Sequence, residues 1–368
     1  MGGSECRPNQ VERASRIMKR RDFLSAVLAL PVVLRHAPAS AAASRTFEIV
    51  TTLEIDSRGP VKAWVPMPLK GPTPYQQLLA HKFTGNANRA NVVTDPASGA
   101  EMLLAEWTNA DGAKLSVTTT VATTGHSVGL DRPAAPAGQP ADPDLARFLK
   151  PTALIPVDGV VKTTADSITR GLRGDLPRAR AIYDWIVEHT VRDPEVKGCG
   201  LGDIRWMLET KNLAGKCADL NALFVGLARA SGLPARDLYG IRVAPSQQFP
   251  SLGRAGGNIT TAQHCRAEVF LSGYGWTPVD PADVRKLILE ERPQAALTDA
   301  YIAKVRSTLF GSWEMNWFAY NDAHDVVLPG STGKPLPYFM YPQAEVAGVR
   351  RDSLEPDHFT YKISAREV

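Results

Sequence analysis

The sequence predicts an α+β fold: a buried helix packed on an antiparallel sheet, preceded by a small antiparallel β-domain. Three observations predict it. Residues from about Thr46 to Val128 alternate apolar and polar side chains at the period of a strand. From Leu145 the period lengthens to that of a helix. After one strongly apolar helix, three strand-like runs follow in close order, Ala235–Val243, His264–Ser272 and Trp276–Pro281.

Residues 1–43 read as a leader and an export signal. Residues 1–17 form an over-extended or dispensable start. From Met18 a basic opening precedes an apolar run from Phe23 to Leu34, and a small-residue stretch ends at Ala41 or Ala43. Arg20-Arg21-Asp22-Phe23-Leu24 resembles the twin-arginine motif, so the expected location is periplasmic or secreted. The apolar run is too short and too poorly flanked for a membrane anchor. The whole chain has 42 Lys and Arg against 38 Asp and Glu, a net charge of +4. Residues 1–43 hold seven of the basic and three of the acidic groups, so 35 of each sign remain. That balance removes the basic field a nucleic-acid or anionic-membrane partner would need. No second long apolar run follows, so no membrane span is expected in the mature chain.

Residues 44–130 form the β-domain. Phe47–Ile55 and Val61–Leu69 read as strands around an Arg58-Gly59-Pro60 turn. Ala100–Thr124 reads as two more around Asn109-Ala110-Asp111-Gly112. Residues 131–144, rich in Pro, Ala and Asp, read as a linker. Residues 145–330 make the second domain. It opens with short helices at Leu145–Lys150 and Gly159–Leu172. Leu176–Val191 is an amphipathic helix with Ala179, Ile182, Tyr183, Ile186 and Val187 on one face and Asp175 as its cap. Residues 331–368 are a C-terminal extension of loops and short strands.

The stretch Gly215–Arg236 carries the chemistry. Leu220, Leu223, Phe224, Leu227 and Ala228 give a wide apolar face, so the helix beginning near Cys217 is largely buried. Gly232, Leu233 and Pro234 end it. Gly215 lets the chain turn into it. Cys217 then sits in the first turn, where unpaired N–H groups and the helix dipole favour a thiolate. A buried structural cysteine is the plain alternative. Three cysteines remain after residue 43, namely Cys199, Cys217 and Cys265. In an oxidising compartment the odd count leaves one thiol free, and a Cys199–Cys265 bridge would leave Cys217.

His264 opens a strand, Ser272–Gly275 turns, and Asp280 closes the next strand. A tight hairpin sets His264 and Asp280 at the same end of adjacent strands, with the Cys217 helix packed against them. Thiolate, imidazole and carboxylate are the three groups that thiol-based acyl transfer needs. Each residue alone has an ordinary reading, His264 as a strand-edge histidine and Asp280 as a turn residue before Pro281. Glu268, four residues along from His264, is the second candidate for its carboxylate partner. The other histidines have no matching partners in sequence and read as surface or packing residues.

These blocks resemble the transglutaminase-like superfamily, a branch of the papain-like cysteine enzymes. The matching residues are Gly215-Lys216-Cys217, then Ala228 to Arg236, then His264 with Glu268-Val269, then Gly275-Trp276 with Asp280-Pro281. They cover roughly Leu176 to Asp283. The resemblance implies Cys217 as nucleophile, His264 as base and Asp280 as orienter; thiol catalysis needs no cofactor, and none is expected. The sequence departs from the family where Cys265-Arg266 replaces the usual Ala-Trp after the histidine. Trp206 is a weak candidate for an oxyanion partner, and a core tryptophan is the simpler reading.

Three functions compete. The first is acyl transfer through a thioester on a protein or peptide substrate, with water as the simplest acceptor and cross-linking to an amine as the runner-up. The second is a binding module that kept the fold without the activity. The third is a zinc site from Cys217, His264, Cys265 and Cys199. Against the third, there is no Cys-x-x-Cys pair, and neighbours on a strand face opposite ways. No calcium or phosphate loop is present.

Overall fold

The structure is a computed structural model and describes residues 44–71, 73–132, 144–355 and 359–368. The segment read as an export signal and most of the 131–144 stretch read as a linker lie outside these residues. The N-terminal sheet is built from β1 (Ser44–Pro66), β2 (Gln76–Gly85), β3 (Arg89–Thr94) and β4 (Glu101–Thr124). Strands β1 and β4 run antiparallel over almost their full length, from Ser44 opposite Thr124 to Pro66 opposite Met102.

The two predicted turns do not break these strands. They stand opposite each other, Arg58 against Asp111 and Gly59 against Ala110, with register slips beside them. Gly59 and Gly112 take φ of 110° and 77°. Turn-forming residues have become a matched irregularity in two continuous strands, because each break meets a break in its partner. Residues from both halves, among them Leu53, Val117, Val65 and Leu103, meet in one buried cluster.

Helices follow: α1 (Gly159–Ile168), α2 (Asp175–His189), α3 (Ile204–Thr210) and α4 (Cys217–Ala230). Asp175 is the first helical residue of α2, and Gly174 takes the cap position. The Asp175 carboxylate instead accepts the Ser272 N–H at 3.1 Å and Arg178 at 2.8 Å. Helices α1, α2 and α3 all pack on α4. Every residue of α4 is buried. It ends as predicted, with Gly232 at φ 79° and the Leu233 N–H donating to the Ala228 carbonyl at 2.9 Å.

The second sheet comprises β5 (Ala235–Arg242), β6 (Gln263–Leu271), β7 (Gly275–Val279) and, after α5 (Pro281–Glu291) and α6 (Ala300–Thr308), β8 (Trp317–Asn321). Its order is β7-β6-β5-β8, antiparallel throughout. Helix α4 lies against β5 and β6. The C-terminal strands β9 (Gln343–Val346) and β10 (Thr360–Glu367) return to the first sheet and pair with opposite halves of β1.

The two sheets are tied together. The Gln76 carboxamide accepts the Ala319 N–H at 2.7 Å and donates to the Ala319 carbonyl at 2.9 Å. Phe47, Ile49 and Val121 of the first sheet belong to the same buried cluster as Leu220, Phe224 and Leu227 of α4.

Gly240 on β5 faces His264 on β6. A Cβ there would stand 2.1 Å from the Phe318 carbonyl and 2.6 Å from the Trp317 ring. Trp317 in turn donates its indole N–H to the His264 carbonyl at 2.8 Å. Gly240→Ala is therefore expected to cost about 1–3 kcal/mol by overpacking. A lowered urea midpoint at constant slope would report it, and an unchanged midpoint would contradict this close approach.

Candidate active site

Cys217 is the first residue of α4, and Lys216 holds the N-cap position. Asp219, at the third helical position, accepts the Lys216 N–H at 2.9 Å and satisfies the turn from inside. The same carboxylate accepts the N–H groups of Leu201 and Gly202 at 3.0 and 2.9 Å. It thereby ties the loop carrying Cys199 to the start of α4, and the Ala218 N–H donates to the Cys199 carbonyl at 2.9 Å. Gly200 has φ 94°, and a Cβ there would meet Asp219 at 1.8 Å, so only glycine fits. Gly215 was expected to serve a turn. Its φ is not left-handed, and it is needed because a Cβ would come within 2.6 Å of the Asp219 Cβ.

His264 and Asp280 meet as the hairpin predicts. His264 Nε2 lies 2.7 Å from Asp280 Oδ2, and both side chains are buried. With Nε2 committed to Asp280, Nδ1 is the ring nitrogen left for the thiol. Asp280 divides its work. Its Oδ1 accepts the Asp283 N–H at 3.1 Å and caps α5, and it also receives Asn221 Nδ2 of α4 at 3.3 Å. The turn role and the histidine role are both present, one on each oxygen.

Glu268 is not at the histidine. It is buried against Arg236 at 2.7 Å, and that guanidinium lies 4.3 Å over the Trp276 ring. Four residues of strand carry Glu268 too far along β6 to reach His264. The second carboxylate near the imidazole is Asp283, 3.5 Å from Nε2 and paired with Arg242 at 2.6 Å. Neither Asp283 nor Arg242 was singled out from the sequence. The available signal was the spacing of Asp280 and Asp283 across the first turn of a helix. Trp206 is half exposed on α3 and lines a different hollow, so it is neither core nor a partner for Cys217.

The three cysteines are free and buried, with no Cys199–Cys265 bridge. Cys199, Cys217 and His264 line one cleft, and Cys199, Cys265 and His264 all act on the Cys217 thiol. The Cys199 and Cys265 contacts favour its thiolate, burial opposes it, and the His264 hydrogen bond and charge add to the lowering. The outcome is a thiol well below its ordinary range. Contact with Cys217 and burial hold Cys199 well above that range, and burial with Cys217 does the same to Cys265. One thiolate is thus stabilised among three thiols. For His264, burial and Arg242 work downward, while Asp283 and Asp280 outweigh them and raise it. Burial and the charge of Asp283 raise Asp280. Asp283 goes the other way. Burial works against its charge, but Arg242 and His264 hold it well below the carboxylate range.

Among the described residues, the one compact group of metal-type ligands is His264, Asp280 and Asp283. The Arg242 guanidinium already sits on Asp283, and Arg266 lies 3.9 Å from Asp280. A cation there would face two fixed positive charges. Arg266, one of the two residues after His264 read as departures from the family pattern, is buried behind Asp280. It donates to the Glu314 carbonyl at 3.2 Å and lies 4.7 Å over the Trp317 ring.

The fold and this constellation define a class: a thiol at the start of a buried helix, facing a histidine held by a carboxylate on a neighbouring hairpin. Residues 162–281 match the transglutaminase-like superfamily, and the chain belongs to that superfamily. A Haemophilus influenzae protein described only as uncharacterized is 36% identical over 341 residues, which span 88% of this chain and 90% of that protein. Among solved structures, the chain is similar to a candidate cysteine protease of Cytophaga hutchinsonii, at 16% identity and TM-score 0.49, over 88% of this chain and 99% of that one. It is also similar to the periplasmic domain of TgpA from Pseudomonas aeruginosa, at 12% identity and TM-score 0.35, over 69% and 92%.

Removing one partner of the Arg242–Asp283 pair leaves a buried charge uncompensated. Arg242→Met is expected to cost about 3–5 kcal/mol at pH 7. Asp283 has a depressed folded-state pKa, so the pair's contribution is present above the ordinary aspartate value near 4 and lost as pH falls below it. Denaturant titrations of both proteins should therefore converge in acid. Adding Asp283→Asn should recover part of the loss at pH 7, and strict additivity would argue against the pair.

Proposed function

We propose that the protein is a cysteine-dependent acyl-transfer enzyme that hydrolyses peptide or glutamine-type amides through a thioester. Cys217 is the nucleophile, His264 the base and Asp280 its orienter. The observation that carries this reading is the Cys217 thiol, shifted toward its thiolate and lining the same cleft as an imidazole whose Nε2 is held by Asp280.

The steps follow from the groups present. The thiolate attacks the amide carbon, and the carbonyl oxygen becomes an oxyanion. The backbone N–H of Cys217 at the helix start is positioned to meet it, whereas the Ala218 N–H is already committed to the Cys199 carbonyl. The His264 imidazolium protonates the leaving nitrogen as the C–N bond breaks, which leaves a thioester. His264 then takes a proton from water, which attacks the thioester, and the carboxylic acid leaves as the thiol is restored. Asp280 keeps one tautomer and stabilises the imidazolium throughout. An amine in place of water would give cross-linking, and the mass of the product formed with an added primary amine separates the two.

The thiolate is tested directly by the alkylation rate of Cys217 against pH. It should remain fast well below the free-thiol value of about 8.5. His264→Ala should move the titration back up. An ordinary thiol titration, unchanged by that variant, would leave a binding module on the same fold as the working reading, and Cys217→Ala would then retain function.

The reading also places the protein outside the cytoplasm. The support is the ordered basic, apolar and small-residue stretch from Met18 to Ala43 with Arg20-Arg21 at its head. Replacing both arginines by lysine should leave the unprocessed chain in the cytoplasmic fraction. Normal processing of that variant would argue against twin-arginine export.

A further inference from the structure

Cys217 and His264 open onto a cleft of about 390 Å³. Its walls carry six cationic side chains, Arg192, Lys197, Lys216, Arg242, Arg254 and Lys286, and no carboxylate among the described residues. Because the chain beyond residue 43 carries 35 charges of each sign, this is a local concentration and not an overall excess. Some of these cations are already answered. Arg242 is held by Asp283, and Lys197 by Asp352 and Glu355 at 3.0 and 2.5 Å. Lys286 donates to the Ser251 carbonyl, with Glu290 3.7 Å away. Among the described residues the Arg254 side chain meets the Asn258 carbonyl and the Thr261 hydroxyl, at 3.4 and 3.3 Å. The side chains of Arg192 and Lys216 meet no carboxylate among the described residues, and both residues are half-buried. Lys216 is the residue next to Cys217.

Half-buried cations of one sign around a concave site attract an anion and raise its local concentration. A carboxylate suits an arginine fork and a lysine ammonium, and peptides supply it on acidic side chains or at the chain end. We propose that the cleft selects acyl donors that carry a carboxylate beside the reacting amide, with Arg192 and Lys216 as its principal partners. The proposal rests on the reading of Cys217 as the nucleophile. It concerns which amide is chosen, not how it is broken.

Two small reagents test it without knowledge of the natural substrate. Iodoacetate is anionic, iodoacetamide is neutral, and both alkylate the same sulfur. Their rate ratio, read at Cys217 by peptide mass spectrometry, cancels the thiolate fraction. The His264 imidazolium itself favours the anion, so the decisive comparison is with Arg192→Gln/Lys216→Gln. The wild-type ratio should exceed that of the double variant by about tenfold at low salt, the lower end of electrostatic focusing. The difference should shrink as salt rises. Equal ratios in the two proteins would overturn the proposal. Slow reaction of Cys217 with both reagents would count against the nucleophile reading alone, because the ratio still reports the field of the cleft. A second measurement uses Cys217→Ser and two labelled pentapeptides that differ only as glutamate and glutamine. Anisotropy should show the glutamate peptide bound at least about fivefold more tightly at low salt, and equal binding would overturn the proposal.

Discussion

The structure depends on the burial of α4 along its whole length. Leu220, Leu223, Phe224 and Leu227 are removed from water completely, and each contributes about 1.5–3 kcal/mol of transfer free energy. A helix held on every side has no freedom to rotate or slide. The position of Cys217 at its first turn is therefore set by the core and not by the loop that leads into it. The polar residues of the helix must find partners inside the protein, and Asp219, Asn221 and Arg229 do, apart from the Asn221 Oδ1. Asp219 receives three backbone N–H groups, Asn221 donates to the Cys265 carbonyl at 2.8 Å, and Arg229 donates to the Ala235 and Lys150 carbonyls. Each of these bonds also fixes a neighbour. The Cys199 loop, strand β6 and the start of β5 are all placed relative to α4 by side chains that could not otherwise be buried.

The same economy operates at the hairpin. Asp280 spends one oxygen on the first turn of α5 and the other on His264, so the helix and the imidazole are oriented by a single rigid group. Two carboxylates this close would repel if both were ionised in isolation. Arg242 takes up the charge of Asp283, and Arg266 stands behind Asp280. The result is a buried array in which His264 is raised and Cys217 is lowered, the direction in which a thiolate–imidazolium pair forms. Such an array is costly to bury, and its retention in the interior is understood through the position it gives the imidazole.

Charge is distributed unevenly on a chain that is nearly neutral. The acidic groups around His264 and the start of α4, Asp280, Asp283 and Asp219, lie beneath the surface, engaged with histidine, arginine and backbone N–H groups. Cationic groups line the opening. The inside of the site thus stabilises a proton on His264, and the mouth presents the opposite sign to whatever enters.

Much of the site was legible from the sequence because its signals are local. The apolar face of α4, its Gly232-Leu233-Pro234 ending and the thiol at its start can be read within one window. The hairpin spacing then brings His264 and Asp280 to one end. What the sequence did not disclose depends on partners distant in the chain. Glu268 lies four residues from His264 yet pairs with Arg236, because the extended strand carries it away and β5 supplies a cation beside it. Asp283 reaches the imidazole only because α5 starts at Asp280, and its charge is tolerated only because β5 delivers Arg242. The turn signals at Arg58–Pro60 and Asn109–Gly112 are real local preferences, overridden when two strands put their irregularities face to face. Sequence by itself determined the buried Cys217 helix, the strands that follow it and the order in which Cys217, His264 and Asp280 stand on them, since these follow from periodicity and caps. Only the tertiary structure decided which buried charges neutralise each other, which cysteines cluster, and that the cleft is lined by cations, since each depends on residues that approach through space and not along the chain.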